Sequence, residues 1–254
     1  MNRSLSVPLV AALALCAIPL AARAETYVRA GAGFENSSHD RFRDVDCNQS
    51  EPPALFGCAV AVDGQPLAAR GDFGTTPTVD LGLGWRLSPY VRVEVEGTYR
   101  PSLNFGGQAN FLRTPGEQPV SARGHTLTAL AVGWLDLGTY GRLRPFLGLG
   151  LGVSRNHMGA VRYDFPGLAQ PAATITSGGS DSQTAWMASA GVSWPLSRRA
   201  TLDVAYRYTD LGDMRTDAGP AAIVRSTRTI GLDIAPTHAA LVSQGVSASV
   251  RWAF

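Results

Sequence analysis

Apolar and polar residues alternate with a period of two through eight stretches of the chain, approximately 26–35, 77–87, 90–100, 124–136, 144–154, 183–194, 200–210 and 242–254. A period of two is the pattern of a β-strand, whose successive side chains leave on opposite faces. The last stretch shows it most plainly. Val246, Ala248, Val250, Trp252 and Phe254 share one face, and Ser247, Ser249 and Arg251 share the other. One face suits lipid and the other a polar barrel interior. Eight such strands predict an all-β fold, an eight-stranded antiparallel transmembrane β-barrel, because a closed ring leaves no backbone group unpaired in the bilayer.

The connections alternate in length. Ser88-Pro89, Gly138–Gly141 and Leu196–Arg199 are short turns, whereas about 36–76, 101–123, 155–182 and 211–241 are long loops. Short periplasmic turns and long extracellular loops are the outer-membrane arrangement. A soluble β-sandwich, the competing all-β fold, has no reason to lengthen every second loop. On this topology Trp85, Trp134, Trp194, Trp252 and Phe254 fall at periplasmic ends, and Phe34, Tyr99, Trp186, Tyr206 and Tyr208 at outer ends, as aromatic girdles. Strand four is ambiguous, since either Thr126/Thr128/Leu130/Val132/Trp134 or Leu127/Ala129/Ala131/Gly133/Leu135 could face lipid. The girdle position of Trp134 favours the first set.

The beginning of the chain agrees with this location. Met1–Arg3 supplies a positive segment, Leu5–Leu20 an apolar one, and Ala22–Ala24 a small-residue cleavage motif. The pattern predicts a secretory signal over 1–24, cut between Ala24 and Glu25, that also removes Cys16. The expected mature chain, 25–254, is one barrel domain in the outer membrane of a Gram-negative bacterium. No mature segment reaches the length of an apolar membrane helix. Once Arg3 and Arg23 are set aside, basic and acidic residues balance, which leaves no electrostatic footprint for nucleic acid.

The stretch Ser182–Ser197, followed by Leu202–Gly212, resembles the last hairpin of the small outer-membrane β-barrel proteins grouped with opacity-type surface antigens. Arg144–Val153 resembles that family's glycine-rich fifth strand. The resemblance covers the eight strands and almost none of the loops. It implies a monomeric eight-stranded barrel, related in architecture to outer membrane protein A. It implies no single activity, because function in such barrels resides in loops and lumen. The terminal Trp252 and Phe254 resemble the signal read by the barrel-assembly machinery.

The parity opposite to the apolar stripe places Arg29, Asp80, Arg86, Arg92, Glu94, Glu96, Arg100, Asp203, Arg207 and Arg251 inside. A lumen of eight strands is just wide enough for side chains to fill it, so the expectation is an ion-pair plug. The two arginines in excess of carboxylates leave open a narrow, weakly anion-preferring channel. Gly31, Gly33, Gly82, Gly84, Gly148, Gly150 and Gly152 share the inward parity, and their expected role is to make room for long arginines. A nucleotide loop would need a helix after the glycines, and the leucines around Gly148 and Gly150 continue a strand instead.

Cys47 and Cys58, in the first loop, form an even pair in an oxidising compartment and predict a disulfide contributing roughly 2–4 kcal/mol. His39 alone stands near them, too few ligands for a metal. Asp63-Gly64 predicts a hairpin turn within this loop. Six acidic residues there against Arg41, Arg43 and Arg70 predict a mildly acidic surface. In the fourth loop Arg225–Ile234 reads either as an arm above the bilayer, the preferred reading, or as part of a ten-stranded barrel.

The four histidines are the candidate catalytic groups. His157 is followed by Met158-Gly159, His238 by Ala239-Ala240, and His125 has no serine at strand spacing; His39 lies in a loop. No nucleophile, base and carboxylate come together along the sequence, so neither catalytic residues, nor a cofactor, nor a metal site are expected. The function expected is structural or surface interaction, as an adhesin or antigen, through the extracellular loops. Its partners are outer-membrane lipid, the assembly machinery and a host or environmental surface ligand. A passive channel is the second reading and a membrane-embedded lipid hydrolase a distant third.

Overall fold

The computed structural model describes residues 25–37, 40–112, 114–225 and 227–254. The expected signal over 1–24, with Cys16, and the side chain of His39 lie outside them. Fourteen strands occur: β1 (Glu25–Ser37), β2 (Asp40–Asp44), β3 (Ala69–Asp72), β4 (Gly74–Arg86), β5 (Val91–Ala109), β6 (Pro119–Asp136), β7 (Arg144–Met158), β8 (Val161–Phe165), β9 (Ala172–Thr176), β10 (Gly179–Pro195), β11 (Ala200–Arg215), β12 (Gly219–Arg225), β13 (Thr229–Ile234) and β14 (Thr237–Ala253). Eight of them form an antiparallel ring in the order β1-β4-β5-β6-β7-β10-β11-β14. The ring closes where β14 pairs with β1, from Tyr27↔Ala253 to Ser37↔Ser243. The alternating sequence thus folds into the eight-stranded barrel it predicts.

Local chemistry explains the short turns. After β4, Ser88 Oγ accepts from the amides of Tyr90 and Val91 at 3.2 and 3.1 Å. After β10, Ser197 Oγ does the same for Arg199 and Ala200. Between β6 and β7 the chain reverses through Gly138 and Gly141, at φ of 99° and 65°, which side chains beyond glycine rarely tolerate.

The eight strands are longer than the periodic stretches, and three of the long connections contain strands of their own. The β2–β3 pair bridges β14 to β5 above the ends of β1 and β4. β8 leaves β6 and pairs with β9, which pairs with the β12–β13 hairpin. That hairpin lies outside the ring, so the barrel has eight strands and not ten. The Asp63-Gly64 turn is present, with the Ala61 amide donating to Gln65 O at 2.8 Å.

One parity assignment is overturned. Leu127 and Leu135 are exposed toward lipid, whereas Leu130, Val132 and Trp134 are buried inside the barrel. Both faces of β6 carry apolar residues, so periodicity alone could not choose between them. The deciding contact is tertiary: the Trp134 indole packs edge-on against Phe146, centroids 5.4 Å apart, and occupies the space left by Gly148.

Candidate functional site

Charged and apolar side chains divide the lumen between them. β6, β7, β10 and β11 contribute Leu130, Val132, Trp134, Phe146, Ala185, Met187 and Ala205 as one buried cluster. Facing it, β1, β4, β5, β11 and β14 contribute buried arginines and carboxylates. Arg29 and Arg92 stack over Trp134 at 5.8 and 5.6 Å, and Arg251 lies over Tyr27 at 5.5 Å. Guanidinium planes therefore join the two halves by cation–π contact.

The ion pairs form tiers along the barrel. Near the periplasmic end Arg92 holds Asp136 through Nη2 at 2.8 Å and Nε at 3.0 Å. Arg251 Nε lies 2.7 Å from Asp203, and Ser193 Oγ donates to the same carboxylate at 2.6 Å. In the central tier Arg29 Nε donates to Glu94 at 2.7 Å, Tyr27 Oη donates to Glu94 at 2.9 Å, and Asp80 lies 2.7 Å from Arg29 Nη1. Glu96 accepts from Arg29, Arg207 and Thr98. Above it Glu35 accepts from Arg100 Nε at 2.7 Å and from Ser243 Oγ at 2.5 Å.

Nine of the ten expected lumenal charges are brought into these tiers. Arg86 is not: it sits at the periplasmic rim, partly exposed, 3.6 Å from Glu25. Tyr27, Glu35 and Asp136 also belong to this network, and the sequence reading did not single them out. Tyr27 and Glu35 share the inward parity of Arg29 and were legible by that signal. Asp136 shares the parity of Trp134, and the wrong assignment of that strand hid it. With Glu35 and Asp136 counted, Arg29, Arg92, Arg100, Arg207 and Arg251 face six buried carboxylates, so the arginine excess behind the anion-channel reading disappears.

The lumenal glycines serve neighbours other than those expected. A β-carbon at Gly84 would strike the Tyr27 ring, one at Gly148 the Trp134 ring, and one at Gly82 the Glu94 carboxylate. A small space between Arg29, Arg92, Trp134, Asp203 and Arg207 has room for about 10 Å³ of water-sized volume, close to what a single water needs.

Above the tiers a β-bulge between Asp210 and Asp213 turns the Leu211 carbonyl inward, where Ser154 Oγ and Asn156 Nδ2 donate to it at 2.6 and 2.8 Å. Higher still the interior becomes apolar. Phe42, Phe73, Leu103, Phe105, Val120, Met158, Tyr163, Met214 and Leu241 pack together across the extracellular strands. Burial pushes the Tyr163 phenol above its ordinary pKa. The first loop is fastened to this core by Asp44, whose carboxylate accepts from the amides of Leu55, Phe56 and Gly57 at 2.8–2.9 Å. Burial pushes its pKa up, and the three amides pull it down. Cys47 and Cys58 form a disulfide in the same loop.

On the outer surface Trp85, Trp194, Trp252 and Phe254 stand toward the periplasmic end, the latter three well exposed. Among the histidines, His157 Nδ1 lies 2.6 Å from Ser180 Oγ of the neighbouring strand. Spacing along one strand could not reveal a partner on the next. No carboxylate among the described residues bonds this imidazole, and no group of metal-ligating residues occurs among them.

A closed ring with lipid-facing leucines, a charged interior and long outer strands is the architecture of an outer-membrane barrel. The family described as outer membrane protein beta-barrel domain matches residues 7–223. The chain belongs to that family. It is an outer-membrane protein of a Gram-negative bacterium, as the other members are. Uncharacterized proteins of Brucella abortus (strain 2308) and Brucella suis biovar 1 (strain 1330) are each 29% identical over 209 residues, covering 75% of this chain and 69% of theirs. Among solved structures the chain is similar to Neisserial surface protein A, at 18% identity and a TM-score of 0.42, covering 90% of this chain and 97% of that one. OprG of Pseudomonas aeruginosa is 15% identical with a TM-score of 0.43, covering 91% and 98%.

Proposed function

We propose that this protein is a sealed, monomeric barrel that works through its extracellular face, in a structural or surface-interaction role of the adhesin or antigen kind. The observation that carries this reading is the filled lumen: tiers of paired charge, a small space with room for about 10 Å³ of water-sized volume, and an apolar core above them. A barrel filled in this way leaves solutes no open path through its lumen. What it offers is a stiff extracellular platform, built from β2, β3, β8, β9, β12 and β13. Outer-membrane lipid and the barrel-assembly machinery are its partners in the envelope, and a host or environmental surface molecule is its partner outside.

The platform presents an open groove of about 630 Å³ lined by Ala61, Val62, Asp63, Phe111, Leu112 and Gln118. Val62 at its edge is 99% exposed, and an exposed apolar group beside a groove is a natural contact for a partner. The test replaces 60–65 and 111–117 together by short Gly-Ser linkers and measures adhesion of expressing cells to host cells and matrix proteins. Loss of adhesion with normal surface display is expected. Unchanged adhesion would refute the role of this face.

A further inference from the structure

We propose that the outward face of β6, β7 and β10, immediately above the apolar band, binds the phosphorylated headgroup of an outer-leaflet glycolipid. Along β7 the outward residues are Leu147, Leu149, Leu151 and Val153, all exposed, followed by Arg155 and His157. Along β6 the outward set runs up through Leu127 and then becomes His125 and Arg123. Along β10 Trp186 gives way to Thr184, Ser182 and Ser180. With Leu143 at the preceding turn and Pro145 the outward apolar run reaches Val153 over about 33 Å of chain at about 3.3 Å per residue, which at a strand tilt of about 40° is roughly 25 Å along the membrane normal, the height of a barrel's lipid-facing band. Arg155 and His157 therefore stand at the level of the headgroups.

Register gathers these residues into two adjoining rows. Leu127, Arg155 and Ser182 are aligned across the three strands, and so are His125, His157 and Ser180. Arg155 Nη1 donates to Ser182 Oγ at 3.3 Å, His157 Nδ1 lies 2.6 Å from Ser180 Oγ, and the two imidazoles are 4.7 Å apart. Unlike the lumenal arginines, Arg123 and Arg155 form no ion pair with a carboxylate among the described residues. Asp181 of β10 has the parity opposite to Ser180 and Ser182 and lies 3.4 Å from Arg215.

Arg155 stands one row below the imidazoles and Arg123, level with Gly159, one row above them, so an unneutralised guanidinium flanks the hydroxyl and imidazole groups on each side, a spacing that suits the separate phosphates of a bisphosphorylated headgroup. Anionic headgroups draw such cations to a membrane surface. The apolar shelf directly below, Leu151, Val153 and Trp186, would hold acyl chains, so the site fits a phosphate attached to lipid and not a soluble anion. A hydrolase at His157 and Ser180 is disfavoured: no carboxylate among the described residues orients the imidazole, and the strand amides that could stabilise an oxyanion are spent in the sheet ladder.

The experiment uses full-length protein refolded in detergent, checked by heat-modifiable gel mobility, and reads the retention of bisphosphorylated lipid A by native mass spectrometry. Wild-type protein is expected to retain it, the double variant Arg123→Ala with Arg155→Ala to bind at least about tenfold more weakly, and lipid A stripped of phosphate to bind as weakly as that variant does. A second variant, Arg198→Ala with Arg199→Ala in a periplasmic turn, is expected to match the wild type. Inorganic phosphate at millimolar concentration is expected not to displace the lipid. Equal retention by the Arg123/Arg155 variant, equal retention of the phosphate-free lipid, or displacement by inorganic phosphate would each overturn the proposal. So would fatty-acid release abolished by Ser180→Ala, which would make the site a hydrolase.

Discussion

Arg100 and Glu35 form a two-pronged ion pair inside the barrel, with Nε to Oε2 at 2.7 Å and Nη2 to Oε1 at 3.2 Å. Each is at most 3% exposed. Removing one member of such a buried pair strands the other's charge, at a cost of about 3–5 kcal/mol. Glu35→Ala is therefore expected to lower the temperature at which the folded gel band converts to the unfolded one. Glu35→Gln, which still accepts from Arg100, should lower it less. Equal effects from the two variants would mean that bulk, and not charge, holds this tier.

Glu96 has a wider set of partners, because Arg29 and Arg207 both donate to it. Glu96→Ala withdraws the carboxylate both share: Arg29 keeps Glu94 and Asp80, whereas Arg207 is left with Asp80 at 3.8 Å. The expected result is a loss of stability comparable to that of Glu35→Ala, together with measurable leakage of small solutes that the wild-type barrel is expected not to show. An unaltered melting temperature would contradict the plug.

Glycine positions separate lumenal packing from lipid exposure. A β-carbon at Gly148 meets the Trp134 ring, whereas one at Gly133 meets nothing within 4 Å. Gly148→Val should cost about 1–3 kcal/mol through overpacking and reduce refolding yield. Gly133→Val, which faces lipid, should refold normally. Similar yields for the two would restore the earlier assignment of the Trp134 face to lipid.

Asp44 anchors the first loop independently of the disulfide, through three backbone amides. Asp44→Ala leaves the buried Phe56 amide unpaired, at a cost on the order of 1–3 kcal/mol, and the part-buried amides of Leu55 and Gly57 to water. Limited proteolysis should then cut within 45–68 while the eight-stranded ring stays intact. Resistance equal to wild type, with the disulfide present, would show that Cys47–Cys58 alone is sufficient.

The barrel was legible because lipid on one side and a filled lumen on the other impose a period of two that survives in the sequence. Arg29, Glu94 and Arg207 could be placed inward from that pattern alone. It failed on β6, where Thr, Leu, Val and Trp on one face and Leu and Ala on the other are nearly equal in polarity, and with that strand went Asp136, the partner of Arg92. The extracellular apolar core was illegible for a different reason. Phe42, Phe73, Phe105 and Tyr163 come from widely separated segments, and only tertiary contact brings them together. His157 and Ser180 are likewise neighbours across a ladder and 23 residues apart in sequence.

Single-channel recording of the refolded protein in a planar bilayer, with folding verified on the same preparation, tests the sealed lumen most directly. The filled interior predicts no discrete openings from wild-type protein and the appearance of openings in Glu96→Ala. Reproducible openings from the wild type would contradict it, and would make Arg29 and Arg207 the residues lining a conducting path.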